Sequence, residues 1–179
     1  MSETPASRPF PKPDIEAIWA PWRVEYFQTG HCASSDFLSE AAASSDDNIH
    51  LVIARKKSAF LLMNKYPYSA GHLMAVPYRK GISMEALTDA EVLDLWHLCS
   101  LAQKLLSQCV HAQGFNVGWN IGRAGGAGVE DHLHIHIVPR WNGDSNFMAV
   151  VAGTRVIPEG LQPLYLRLRE ALPLIENEG

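Results

Sequence analysis

Residues 131–139 read Asp-His-Leu-His-Ile-His-Ile-Val-Pro, and the fold is decided by how this stretch is laid out. Successive side chains of an extended strand point to opposite faces, so residues two apart share one. His132, His134 and His136 therefore lie on one face, each about 7 Å from the next. Leu133, Ile135 and Ile137 point the other way, into a core. Three imidazoles in front of unbroken aliphatic alternation describe a strand with a polar site before it and packing behind.

Working outward, residues 122–128 (Gly-Arg-Ala-Gly-Gly-Ala-Gly) form a glycine-rich loop just upstream. Glycine lets backbone N–H groups come close to an anion, which suits phosphate. Alone such a loop is commonly just a turn; beside three histidines it gains meaning. Residues 115–121 read as the strand that enters it. Three further apolar runs, 51–55, 59–64 and 72–77, are separated by turn residues and read as antiparallel strands. Between these groups Thr88 opens a helix, with Thr88 and Glu91 in a capping-box pattern. Val92, Leu95, Trp96, Cys99, Ala102, Leu106, Cys109 and Val110 then recur at helical spacing, and Gly114 stands just past the end. Cys99 and Cys109 fall on this stripe and read as core residues. A last helix is expected over 161–175, its final turn disturbed by Pro173. The fold class is α+β with a mainly antiparallel sheet.

The 179 residues suit one domain, 14–179, behind a proline-rich tail, 1–13. The aromatic run at 18–27 must be anchored on something, whereas 28–48 is small and polar, a loop with at most a short helix. A net charge of −4 argues against wholesale binding to long nucleic acid but leaves room for a small anion in a locally positive site. Three cysteines give no paired framework and are expected reduced. No run resembles a signal peptide or a membrane span. A soluble, cytoplasmic protein with no membrane partner is expected.

Two chemistries fit a strand of alternating imidazoles. One is metal binding, with Glu130 and Asp131 as nearby carboxylates. The other is nucleophilic attack on phosphorus, in which an imidazole forms a covalent intermediate that a second acceptor resolves. The residues alone leave both open.

His132-Leu-His134-Ile-His136-Ile-Val138 resembles the His-φ-His-φ-His-φ-φ signature of the histidine-triad superfamily, φ being apolar. IWAPWR (18–23), LLMNKYPYSAGHLMAVPYR (61–79), GFNVGWNIG (114–122) and HLHIHIVPRWNGDSNFM (132–148) extend the likeness. They are similar to the branch of bacterial diadenosine tetraphosphate phosphorylases and fragile-histidine-triad dinucleoside polyphosphate hydrolases. The resemblance implies a HIT-like fold, a five-stranded antiparallel sheet with a long packed helix and a C-terminal helix, assembled as a homodimer. It implies that His134 is the nucleophile, that His132 and His136 position it and assist the leaving group, and that His72 is a fourth, supporting histidine. It implies further that Asn64 contacts ribose and Asn120 phosphate, with the backbone of Gly126, Ala127 and Gly128 holding an oxyanion. The substrate implied is a small nucleotide, a dinucleoside polyphosphate cleaved by phosphorolysis or hydrolysis. No cofactor is required for the covalent step, and Mg enters only as a companion of the nucleotide. The alternatives are a nucleoside phosphoramidate or acyl-adenylate hydrolase, or an inert nucleotide- or metal-binding module.

Arg79, Lys80, Arg123 and Arg140 are candidates to neutralise a polyphosphate, and 141–147 is a polar loop that the resemblance makes a substrate-contacting lid. Two departures stand out. The hydroxyl or Gln-Ser/Thr residues that relatives place before the triad are absent from Gly126-Ala127-Gly128-Val129. Many relatives hold a structural zinc with Cys-x-x-Cys, a histidine after Pro-Tyr-Arg and the first triad histidine. Here Cys32 is followed three residues on by Ser35, and Lys80 follows Pro77-Tyr78-Arg79, which leaves too few ligands for a closed tetrahedral site. Metal analysis of the purified protein is therefore expected to return no stoichiometric zinc; one zinc per chain would overturn that expectation.

Overall fold

The computed structural model of the chain describes residues 37–144 and 160–177. The tail, the IWAPWR block, Cys32 and the far end of the 141–147 loop lie outside the described residues. Among the described residues three helices, α1 (Phe37–Ala43), α2 (Asp89–Val110) and α3 (Leu161–Asn177), accompany five strands. These are β1 (Val52–Arg55), β2 (Ala59–Met63), β3 (Leu73–Pro77), β4 (Gly114–Trp119) and β5 (Ile135–Arg140). All pair antiparallel in the order β1-β2-β3-β5-β4, so β5 is inserted between β3 and β4.

Every residue of β2 and β3 is buried, because both faces of the sheet are covered there. Leu61, Met63, Leu73, Ala75, Ile135 and Ile137 pack on one face beneath α2 and α3. Val52, Phe60, Leu62, Met74 and Val76 pack on the other against Leu38 and Ala41 of α1. Strands covered on both sides read as continuous apolar runs, which explains their sequence. Each large side chain so buried stabilises the fold by about 1.5–3 kcal/mol. Where β1 bulges between Val52 and Ala54, α3 takes up the carbonyls that the ladder releases. Tyr165 Oη donates to Val52 O and Arg169 Nη1 to Ile53 O.

The start of α2 follows its sequence signal. Thr88 Oγ1 accepts the Glu91 N–H, and the Glu91 carboxylate accepts the Thr88 N–H. The interior differs from the expected stripe. Leu95, Leu98, Cys99, Ala102, Leu105 and Leu106 are buried, whereas Val92 is 52% and Trp96 72% exposed. Cys109 is half-buried against the core. The helix ends at His111, in the left-handed region at φ 53°, and Gly114 instead begins β4. The last helix runs through Pro173, because Ala171 and Ile175 on either side of it remain buried in the core.

The histidine strand begins later than the sequence suggests, at Ile135 rather than His132. The imidazoles cause this. His132 Nε2 donates to Pro77 O at 2.8 Å, and His134 Nδ1 donates to His132 O at 2.8 Å. The His132 ring thus occupies the Pro77 carbonyl, which would otherwise be available to extend the β3–β5 ladder. Leu133, expected in the core, is only half-buried for the same reason. Among the described residues no helix is long and apolar enough to cross a membrane.

Candidate active site

The register sets His136 on β5 between Met74 of β3 and Gly118 of β4, all on one face. Directly opposed residues share a face, so Gly114, Asn116, Gly118 and Asn120 line that side of the β4 segment by alternation. Phe115 and Trp119 pack on the core side. A Cβ placed on Gly118 would meet nothing within 4 Å, so the floor beside His136 is open. The alternation in Phe-Asn-Val-Gly-Trp-Asn was a legible signal for this floor. Gly71, at φ 77°, turns the chain into His72, and a Cβ there would meet Leu106 Cδ2 at 2.7 Å.

The structure brings His72, His132, His134 and His136 together, all buried. Their hydrogen bonds fix which nitrogen carries each proton. The His134 Nδ1 proton goes to the His132 carbonyl, so Nε2 keeps its lone pair. Burial holds this ring's pKa below its ordinary 6.5. His72 Nδ1 accepts the Tyr68 backbone N–H at 3.1 Å, so its proton sits on Nε2 and is donated to His136 Nδ1 at 2.9 Å. His136 then carries its proton on Nε2, an atom that is buried and without a partner among the described residues. Burial first, and the neighbouring His134 second, push the pKa of His136 down to about 4. The rings of His134 and His136 meet edge-on at 4.7 Å. A neutral ring with a free lone pair thus stands beside a neutral ring with an unused N–H. Leaving a buried donor unpaired costs about 1–3 kcal/mol, which an incoming oxygen would recover.

Asn64 is buried, with both ends of its amide engaged. Oδ1 accepts the Tyr66 N–H at 2.8 Å and Nδ2 faces His72 Nδ1 at 3.3 Å. Asn120 Nδ2 donates to Tyr68 Oη and Gly126 O, folding the glycine loop back over the histidines. The loop carries a short 3-10 turn, Arg123–Gly125. The N–H groups of Gly126 and Ala127 are spent inside it, on Arg123 O and Gly122 O. No described hydrogen bond uses the Gly128 N–H. Three of the four candidate cations are paired: Arg79 with Glu91, Lys80 with Asp131 and Arg140 with Asp144. Arg79 holds the Glu91 carboxyl down to about 2. The Arg123 side chain has no hydrogen bond or ion pair among the described residues, its carbonyl alone being used by Gly126 N–H. Sequence reasoning missed Tyr68, whose ring lies 4.6 Å from that of His72 and 5.5 Å from that of His136. Its place four residues before His72 in the Tyr-Pro block was the available signal.

A family model of the HIT domain matches residues 46–143. The chain belongs to the HIT family. It is 36% identical over 155 residues to the AP-4-A phosphorylase of Mycobacterium tuberculosis, covering 83% of this chain and 80% of that one. It is 30% identical over 116 residues to an asymmetrical bis(5'-nucleosyl)-tetraphosphatase of Schizosaccharomyces pombe, covering 64% and 63%. Among solved structures, a hypothetical histidine triad nucleotide-binding protein from Sulfolobus tokodaii superposes with TM-score 0.59 at 25% identity, covering 72% of this chain and 87% of that one. The zinc position of many HIT relatives does not fit here. Lys80 is tied to Asp131, and the His132 ring is committed to Pro77 O and Ser39 Oγ. For the HIT protein's histidines, NMR titration is expected to find His136 protonating near pH 4, and His134 below 6.5. Ordinary midpoints for both would contradict the buried, neutral pair.

Proposed function

We propose that this HIT protein is an enzyme that cleaves dinucleoside polyphosphates through a covalent nucleotidyl-histidine, with His134 as nucleophile and inorganic phosphate as the acceptor. The observation that carries the reading is the tautomer of His134, whose Nδ1–H is given to the His132 carbonyl and whose Nε2 lone pair is free. Nε2 attacks the α-phosphorus, an N–P bond forms, and the bond to the bridging oxygen breaks. The His132 carbonyl steadies the ring as it becomes cationic. The His136 Nε2–H donates to the departing oxygen and stabilises the charge that develops there. A phosphate oxygen then displaces His134, yielding a nucleoside diphosphate and the free ring. Asn120 and the Gly128 N–H border the phosphates, the Gly126 and Ala127 N–H groups being used within the loop's own turn, and the Arg123 side chain on the same loop supplies a cation. Phosphate as acceptor is supported by similarity to the mycobacterial phosphorylase over most of the chain. Cys99, buried with its thiol pushed up to about 11, is unreactive, which suits a cytoplasmic enzyme.

The test is product analysis with diadenosine tetraphosphate. ADP plus ATP, formed only when phosphate is added, is the expected result. AMP plus ATP without phosphate would replace phosphorolysis by hydrolysis. No turnover under either condition would sink the assignment. His134→Asn is expected to lower kcat by at least about a thousandfold and to abolish the trapped nucleotidyl-protein.

We also propose a homodimer formed along β4. Among the described residues this strand is a sheet edge, with no strand paired on its outer side and Val117 48% exposed. Trp96 and Val92 of α2 are exposed too, and an uncovered edge bordered by apolar side chains calls for a partner. Pairing two β4 strands would run the sheets together. Light scattering is expected to give twice the 19.8 kDa chain mass, and Trp96→Glu to shift the population toward monomer. A wild-type monomer at micromolar concentration would refute the assembly.

A further inference from the structure

The family resemblance assigns Asn64 to the ribose, yet its amide is turned into the histidine cluster. Oδ1 must be the end that meets the Tyr66 N–H, since a backbone N–H can only donate. That orientation puts Nδ2, a donor, toward His72 Nδ1. Two donors, the Asn64 amide and the Tyr68 backbone N–H, therefore converge on one imidazole nitrogen. A nitrogen so placed keeps its lone pair, and the ring's proton is forced to Nε2. His72 Nε2 then donates to His136 Nδ1, and the same logic sends the His136 proton to Nε2, the buried atom without a partner.

We propose that Asn64 is a positioning residue that, together with the Tyr68 backbone N–H, sets the proton on His72 Nε2 and so makes His136 present an N–H to the substrate's leaving oxygen. The inference concerns the donor that His136 offers and rests on the proposed phosphoryl chemistry only for what the donor is used for. The titratable rings that face the His72–His136 pair in the described contacts are His134 and Tyr68. With the opposite tautomer, His136 would turn a lone pair toward the bridging oxygen, and two acceptors would meet. The low pKa of His136 is consistent with a ring that works as a neutral donor rather than as a cation.

The first test needs no substrate. Nitrogen-detected NMR of the wild-type protein at neutral pH is expected to show both His72 and His136 neutral, each with its proton on Nε2. A His72 proton on Nδ1 would overturn the proposal outright, whatever the enzyme's activity. The second test compares Asn64→Asp with Asn64→Leu, which match the asparagine roughly in size. The aspartate places an acceptor where the structure requires a donor, and it is expected to raise the pH at which the His72–His136 pair takes up a proton by about one unit or more. The leucine is expected not to raise it. With diadenosine tetraphosphate, Asn64→Asp should lower kcat by about tenfold or more while KM changes by less than about threefold. An unchanged titration in Asn64→Asp, or an effect confined to KM, would return Asn64 to a ribose contact. Because the tautomers are read in the free protein, absence of turnover on the dinucleotide would refute the proposed function and leave the proton arrangement to stand or fall alone.

Discussion

A buried imidazole costs free energy unless each of its nitrogens is matched, and four of them share one face of this sheet. The arrangement that satisfies them shapes everything nearby. Two rings take backbone carbonyls, those of Pro77 and His132, and the first of these lies where the β3–β5 ladder stops short at Ile135. A third, His72, receives a backbone N–H and passes its own proton along to His136. After these matches two atoms are left over, the His134 Nε2 lone pair and the His136 Nε2–H. These two atoms are thus the remainder of a hydrogen-bond count that is otherwise closed among the four rings. That remainder lies beside Gly118, where the sheet floor carries no side chain.

The opposite face of the same strands supplies the rigidity. Ile135 and Ile137 alternate with the histidines and pack beneath α2 and α3. A ring mounted on such a strand can be displaced only by disturbing close-packed aliphatic neighbours. The apolar half of the alternation therefore fixes where the polar half can act.

Much of this was legible in the amino-acid order, and what was not had particular physical reasons. The period-two pattern at 132–137 put Ile135 and Ile137 in the core, though not Leu133, and the Thr88–Glu91 box marked the start of the long helix. Strand limits failed at His132 because no propensity anticipates side chains competing for ladder carbonyls. The helical stripe failed at Val92 and Trp96 because periodicity reports an apolar face without saying which molecule covers it. Tyr68 was missed, and the amide orientation of Asn64, a residue read as a ribose contact, was not legible, for a different reason. Their contacts with His72 are made through an amide orientation and a backbone N–H, and a residue's letter carries neither. The basic residues near the motifs were ambiguous because a charge's value depends on whether a carboxylate already holds it.

That last point bears on how a polyanion would reach the pocket. Arg79, Lys80 and Arg140 are each neutralised by an acidic neighbour, and the chain as a whole carries −4. Ion pairs look like dipoles beyond about 8–10 Å, the screening distance in physiological salt, so they add little to a long-range field. Encounter with a highly charged molecule is then governed by diffusion and collision geometry rather than by attraction from afar. Selection among such molecules then falls to short-range contacts, at distances of a few ångströms, rather than to the protein's field.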